Sequence, residues 1–157
     1  GCREMDDRFF RNAMGKFATG ITVVSTVVNG EAHGMTANAF VSVSLSPKLI
    51  LVSIDKRARM LPLIQQSKKF GVSFLSAEQQ TESMRFAGQI KEETPYSFEQ
   101  FGDLPVIQGA LANMTCNLYN EVEAGDHILF IGEVTDLKVN EGEPLLYFGG
   151  QYRKLSE

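Results

Sequence analysis

Apolar residues recur along the chain in short blocks whose spacing switches between the helical and the extended repeat. Phe9, Phe10, Ala13 and Met14 share one side of a helical repeat, which predicts a short amphipathic helix capped at Asp6 or Asp7 and ending at Gly15. From residue 21 to 28 nearly every position is β-branched, and Asn29-Gly30 then supplies the residue pair that a type I′ hairpin needs for its two positive φ angles. The return strand runs through His33, Gly34, Met35 and Thr36. In the strand after it Val41, Val43 and Leu45 alternate with Ser42 and Ser44, predicting one apolar face and one lined by hydroxyls.

Pro47 interrupts the pattern, residues 49–54 resume as strand, and 58–67 read as a helix opened by Asp55-Lys56-Arg57, with Pro62 near its first turn. Residues 70–75 predict another strand and 78–86 a helix. Polar residues with Pro95 and Gly102 fill 89–104, which reads as a long irregular connection of the kind that covers something. Long strands follow at 110–119 and 127–139, separated by an acidic turn over 121–126. A last strand at 145–148 ends in Gly149-Gly150. Many hairpin-joined strands with two or three helices predict a mainly β fold, an antiparallel barrel or sandwich rather than a doubly wound sheet.

Composition narrows this further. The chain has 157 residues with 43% hydrophobic and 22% charged, enough for one domain over 1–157 with a proper core and too apolar for disorder. Fifteen Lys and Arg against nineteen Asp and Glu leave a net charge of −4, which argues against nucleic acid or an anionic membrane as partner. No apolar run approaches the roughly 18 to 20 residues of a membrane span. The start of the chain, through Cys2, Arg3, Glu4, Asp6 and Asp7, lacks the basic and apolar segments of a secretory signal, so the expected location is cytoplasmic. Two cysteines, Cys2 and Cys116, suggest neither a disulfide framework nor a zinc site.

Most catalytic inventories are missing. His33 and His127 lie far apart, so no metal site is expected. The segment 15–22 has the glycines of a phosphate loop but Ile21 where its lysine should stand, and it precedes a strand. Neither a dinucleotide glycine fingerprint nor a serine elbow is present. What remains is a set of small polar residues, Thr36-Ala37-Asn38-Ala39-Phe40 with Ser42 and Ser53, followed by Lys56, Arg57 and Arg59. These read either as a solvated strand face and an exposed loop, or as a flat-ring site whose phosphate tail lies by the basic group at a helix start.

Four ordered segments resemble one family. Residues 10–24 (FRNAMGKFATGITVV), 34–45 (GMTANAFVSVSL), 125–134 (GDHILFIGEV) and 144–152 (PLLYFGGQY) are similar to the flavin reductase family, the FMN-binding split-barrel proteins. After Leu45 the chain has Ser46-Pro47-Lys48, where many relatives carry an acidic residue and two prolines.

The resemblance implies a homodimer of Greek-key split barrels that transfers hydride from NADH or NADPH to FMN or FAD, with a monooxygenase component as partner. It places the flavin ring against Thr36, Ala37, Asn38, Ala39 and Phe40 with Ser53 nearby, and the phosphate side near Ser42 and Lys56, Arg57, Arg59 and Met60. It brings Phe86, Ala87 and Gly88 to the flavin. His127 is set beside the nicotinamide with Tyr147, Phe148, Gly149 and Gly150, although a histidine bonded at a strand start explains that residue equally well. The alternative function is a flavoprotein that holds FMN as an electron carrier without turning over free flavin.

Overall fold

The Asp6 carboxylate accepts the Phe9 amide at 2.8 Å and so caps the first helix, as an N-cap aspartate does for an otherwise unpaired donor. A computed structural model describes residues 4–155, and Cys2 and Arg3 lie outside the described residues. Helix α1 (Asp7–Met14) stops at Gly15 as its pattern predicts, but none of its residues is buried. Its apolar stripe is left largely uncovered, with Phe10 and Met14 exposed.

Strand β1 (Thr19–Gly20) leads into β2 (Thr22–Val28), which returns as β3 (Glu31–Ala37). Asn29 and Gly30 have φ of 53° and 77°, the positive pair expected of the turn. Strands β4 (Phe40–Leu45) and β5 (Lys48–Asp55) are joined through Ser46 and Pro47. Helix α2 (Met60–Ser67) starts two residues later than predicted, because Asp55 first folds the chain into a turn. Its carboxylate accepts the Arg57 amide at 2.8 Å and its carbonyl accepts the Ala58 amide at 2.9 Å. Pro62 then falls in the first turn, where no helical N–H bond is lost.

After β6 (Lys69–Phe74), helix α3 (Gln80–Phe86) also starts later than its composition suggests. The Gln79 side chain instead accepts the Ser76 amide and donates to the Gln108 carbonyl. The connection read as irregular ends in a hairpin, β7 (Glu99–Phe101) and β8 (Leu104–Val106). That hairpin is held from outside itself. Ser25 Oγ donates to the Pro105 carbonyl at 2.6 Å, and the Ile107 amide donates to Ser73 Oγ at 3.0 Å. No local periodicity announces such bonds.

Strand β9 (Ala112–Ala124) overruns the acidic turn predicted for 121–126, and only Gly125 and Asp126 turn the chain into β10 (His127–Val139). Glu121 and Glu123 sit opposite Phe130 and Ile128, so ladder pairing overrides their weak strand preference. A closing hairpin, β11 (Leu146–Phe148) and β12 (Gln151–Arg153), joins β1.

The fold is mainly β and antiparallel, with three helices among the described residues. Seven strands form one sheet in the order β3-β2-β6-β9-β10-β5-β4, and its two outer strands do not pair with each other. Strand β4 is one of these edges, and a register shift between Ser42 and Ser44 breaks its alternation. The apolar residues predicted along this strand are largely bare, with Val41 50% and Leu45 78% exposed. One core lies between the sheet and α2, around Val52, Ile54, Ile64, Phe70, Cys116 and Phe130. Burial pushes the Cys116 thiol up to about 12. A second core joins Ile21, Val23, Leu75, Ile107 and Leu145, and Phe86, Tyr147 and Tyr152 pack against it.

Candidate functional site

Ala37 is the last residue of β3 to pair with β2, and the chain crosses to β4 through Asn38 and Ala39. The carbonyls of these two residues accept the Phe40 and Ser53 amides at 3.0 and 3.1 Å. Their own amides donate to no group among the described residues, and both residues are exposed. Two adjacent open N–H donors flanked by alanines let a flat polar edge approach the main chain. Phe40 is held on Phe74 edge to face, with ring centres 5.0 Å apart.

The hydroxyl of Thr36 is committed within the protein. It donates to the Ser83 carbonyl of α3 at 2.7 Å, a carbonyl that also accepts the Ala87 amide at 3.0 Å. Ser83 Oγ shares a 2.8 Å hydrogen bond with the Tyr152 hydroxyl, and the Tyr152 ring meets Tyr147 edge to face at 5.5 Å. The last turn of α3 is thereby pinned between β3 and the closing hairpin.

Around this anchor lies a series of adjoining depressions. A small cavity of about 160 Å³ is walled by Thr36, Asn38, Ser83, Ala87, Tyr147 and Tyr152. Through Asn38 it meets an apolar cavity of about 340 Å³ that includes Phe17, Thr19, Phe40 and Phe74. Through Ala87 it meets a depression of about 400 Å³ that includes Arg59, Met60, Phe86 and Gly88. Phe40 also borders an open groove of about 540 Å³ with Ser42. Ala37 is buried beneath the series, and Ala39 is exposed beside it.

Other predicted residues stand elsewhere. Lys56 Nζ is paired with Glu123 at 2.8 Å. Arg57 folds back on Asp55 through Nε at 3.1 Å and Nη2 at 3.0 Å, and these bonds hold the Asp55 carboxyl down at about 2. Ser53 is half-buried on β5 opposite Leu129. His127 opens β10 opposite Asp55, with Nδ1 2.8 Å from Asp126 Oδ1, and this contact lowers the Asp126 carboxyl. Phe148, Gly149 and Gly150 are exposed on the closing hairpin, where both glycines take positive φ. His127 lies in the seven-stranded sheet and Tyr147 in the three-stranded one.

Sequence reasoning passed over Ser83, Arg85 and Tyr152, which wall these depressions from α3 and β12. Only the adjacency of Arg85 to Phe86 hinted at one of them. It also set aside segment 15–22, which lacks a phosphate loop's lysine yet supplies Phe17 and Thr19 to the apolar cavity. Among the described residues, no group of three His, Cys, Asp or Glu side chains is placed to hold a metal ion, and no helix is long and apolar enough to cross a membrane.

Comparison with known proteins gives a consistent picture. A family model described as flavin reductase like domain matches residues 14–156. The chain is 39% identical over 155 residues to an NADH-dependent flavin reductase of a Rhodococcus species, across 97% of this chain and 88% of that protein. It is 37% identical over 147 residues to the reductase component of 4-hydroxyphenylacetate 3-monooxygenase from Thermus thermophilus, across 93% of this chain and 95% of that one. In three dimensions it is similar to flavin reductase PheA2 in its native state, with a TM-score of 0.94, 61% sequence identity, and coverage of 98% of this chain and 100% of that one.

Proposed function

The chain belongs to the flavin reductase-like family, and from that membership we propose that it is an NADH-dependent flavin reductase, an oxidoreductase acting on FMN or FAD. The Thermus relative is the reductase component of a monooxygenase, and in the same way this chain supplies reduced flavin to a separate monooxygenase component. The observation that carries the reading is the pair of open amides at Asn38 and Ala39, set where depressions lined by Thr36, Ala87 and Tyr147 adjoin.

The residues fit a flavin. A tricyclic ring with heteroatoms along one edge suits open main-chain donors between alanines, and its phosphate tail suits the arginine-bearing depression next door. When bound, flavin and nicotinamide carry the hydride chemistry themselves. The protein's part is to align two rings and exclude water, which makes an encounter nearly unimolecular without a dedicated acid or base. Asn38 and Ala39 orient the ring edge. The pinned end of α3 sets the width of the slot. His127, oriented by Asp126, steadies the dinucleotide.

The assay is direct. Purified protein given NADH and excess FMN should oxidise the dinucleotide at a rate that scales with free flavin, whereas bound flavin with negligible turnover would make it a carrier. In the same assay His127→Ala should raise the KM for NADH more than that for FMN, and unchanged NADH kinetics would remove His127 from the site.

The chain works as a homodimer of split barrels in the cytoplasm. Support for the dimer comes from apolar side chains left bare on the β4 edge and the end of β10, among them Val43, Leu45 and Val139. A second copy covering them would explain exposure that a monomer does not tolerate well. Sedimentation equilibrium at micromolar protein should return twice the chain mass, and a monomer would sink this part of the reading.

A further inference from the structure

We infer that the 89–104 connection is a brace that ties the end of α3, and with it the flavin slot, to β6 and β10, with Tyr96, Glu99 and Lys138 as positioning residues. The inference rests on the flavin reductase reading above. The β7–β8 hairpin pairs with no strand of the main sheet, so side chains must hold it there. Lys69 of β6 reaches Asp103 at the hairpin turn at 2.5 Å. Lys138 of β10 pairs with Glu99, and its ammonium lies 5.0 Å from the centre of the Phe101 ring. With the bonds to Ser25 and Ser73, the hairpin is fastened to β2, β6 and β10. It also sits close on β6, where a side chain on Gly71 would meet Val106 Cγ1 at 3.1 Å and the Pro105 carbonyl oxygen at 3.2 Å.

The other end of the connection grips α3. Phe98 directly precedes the hairpin, and the Tyr96 ring meets it edge to face with centres 4.9 Å apart. Both rings pack on Phe86, and all three lie against the second core around Ile21, Val23 and Ile107. Arg85 adds a bond from Nη2 to the Thr94 carbonyl at 2.6 Å, and its guanidinium lies 5.3 Å from the Tyr96 ring centre. Glu82 accepts from the Tyr96 hydroxyl at 3.5 Å. Residues 82, 85 and 86 thus all hold the single segment 94–98.

This matters because α3 is only seven residues long, and a helix that short owes its position to what packs on it. Ser83 is bonded to Thr36 and Tyr152 on one side, and the rings of 96 and 98 hold Phe86 on the other. Phe86 leads into Ala87 and Gly88, which line the depression assigned to the flavin. A continuous set of contacts therefore runs from Lys138 through Glu99, Phe98 and Tyr96 to Phe86. Neither Lys138 nor Glu99 lines any of the depressions described above, so an effect of either on flavin binding has to travel along the brace.

Titration with FMN, followed by flavin fluorescence, tests this. Lys138→Gln should raise the Kd about threefold, as for loss of a half-exposed ion pair. Tyr96→Leu should raise it about tenfold through the lost ring contacts. Because the two lie on one path, Lys138→Gln added to Tyr96→Leu should raise the Kd no further. Exchanging the pair, Lys138→Glu with Glu99→Lys, should return the affinity toward that of the unaltered protein, which a general loss of stability would not do. If Tyr96→Leu does not fold, Lys138→Gln, Glu99→Gln and the exchanged pair carry the test, each single change giving the same rise and the two together no more. An unchanged FMN Kd in Lys138→Gln, or effects that multiply in the combination with Tyr96→Leu, would overturn the brace and leave the reductase reading standing. An unaltered protein that bound no flavin would overturn both.

Discussion

Replacing Phe70 with alanine is expected to cost about 3–5 kcal/mol of folding stability, the usual loss for a fully buried aromatic ring. The ring sits on β6 opposite Cys116 of β9 and reaches across to β10, where a side chain on Gly132 would come within 2.6 Å of its Cζ. Three strands of the main sheet are therefore shaped around one ring. Neighbours fixed by ladder bonds on both sides cannot collapse into the space it leaves, so the cavity persists. Set against the total stability of about 5–15 kcal/mol typical of such domains, this is a large fraction. Urea unfolding should show the midpoint falling at unchanged slope. A loss below about 1 kcal/mol would mean the core is not built on this contact.

Gly34→Ala should cost both folding stability and flavin binding. The added methyl would lie 2.9 Å from both Cδ1 and Cε1 of Phe86. The Phe86 ring has little freedom to swing away, being flanked by Tyr96 at 5.1 Å and Phe98 at 5.5 Å between ring centres. The displacement passes to Ala87 and Gly88, which follow in the chain and line the same depression. We expect a stability loss of about 1–3 kcal/mol from overpacking. A rise of about tenfold or more in the Kd for FMN should accompany it, since each 1.4 kcal/mol of lost fit is tenfold. Flavin titration of the folded variant is the check, and full retention of FMN affinity would show that the end of α3 does not shape the flavin slot.

Much of the architecture was legible residue by residue because it is locally determined. The β-branched run and its Asn29-Gly30 turn appear as expected, and β10 occupies the predicted 127–139. The errors share one cause. Glu121 and Glu123 look like turn residues until β10 pairs with them, and the β7–β8 hairpin looks irregular until Ser25 and Ser73 bond to it. The sequence marks Val41, Val43 and Leu45 as apolar, and only the assembled sheet shows that they stand bare on an edge strand.

The site divides the same way. Thr36 to Phe40 could be singled out because they are consecutive at one strand end and, up to Ala39, small. Lys56 and Arg57 could not be told from Arg59, since all three are basic residues of one loop and only their partners differ. By itself, then, the sequence determined the strand-rich architecture, the turn chemistry and the stretch offering open main-chain donors, because propensity and φ preference act between near neighbours. Tertiary structure alone decided which cations stay unpaired and which hydroxyls are already bonded. Thr36 meets Ser83 across 47 positions and Ser83 meets Tyr152 across 69. Contacts between residues that far apart exist only after the sheet has brought its strands together, and no pattern along the chain encodes them singly.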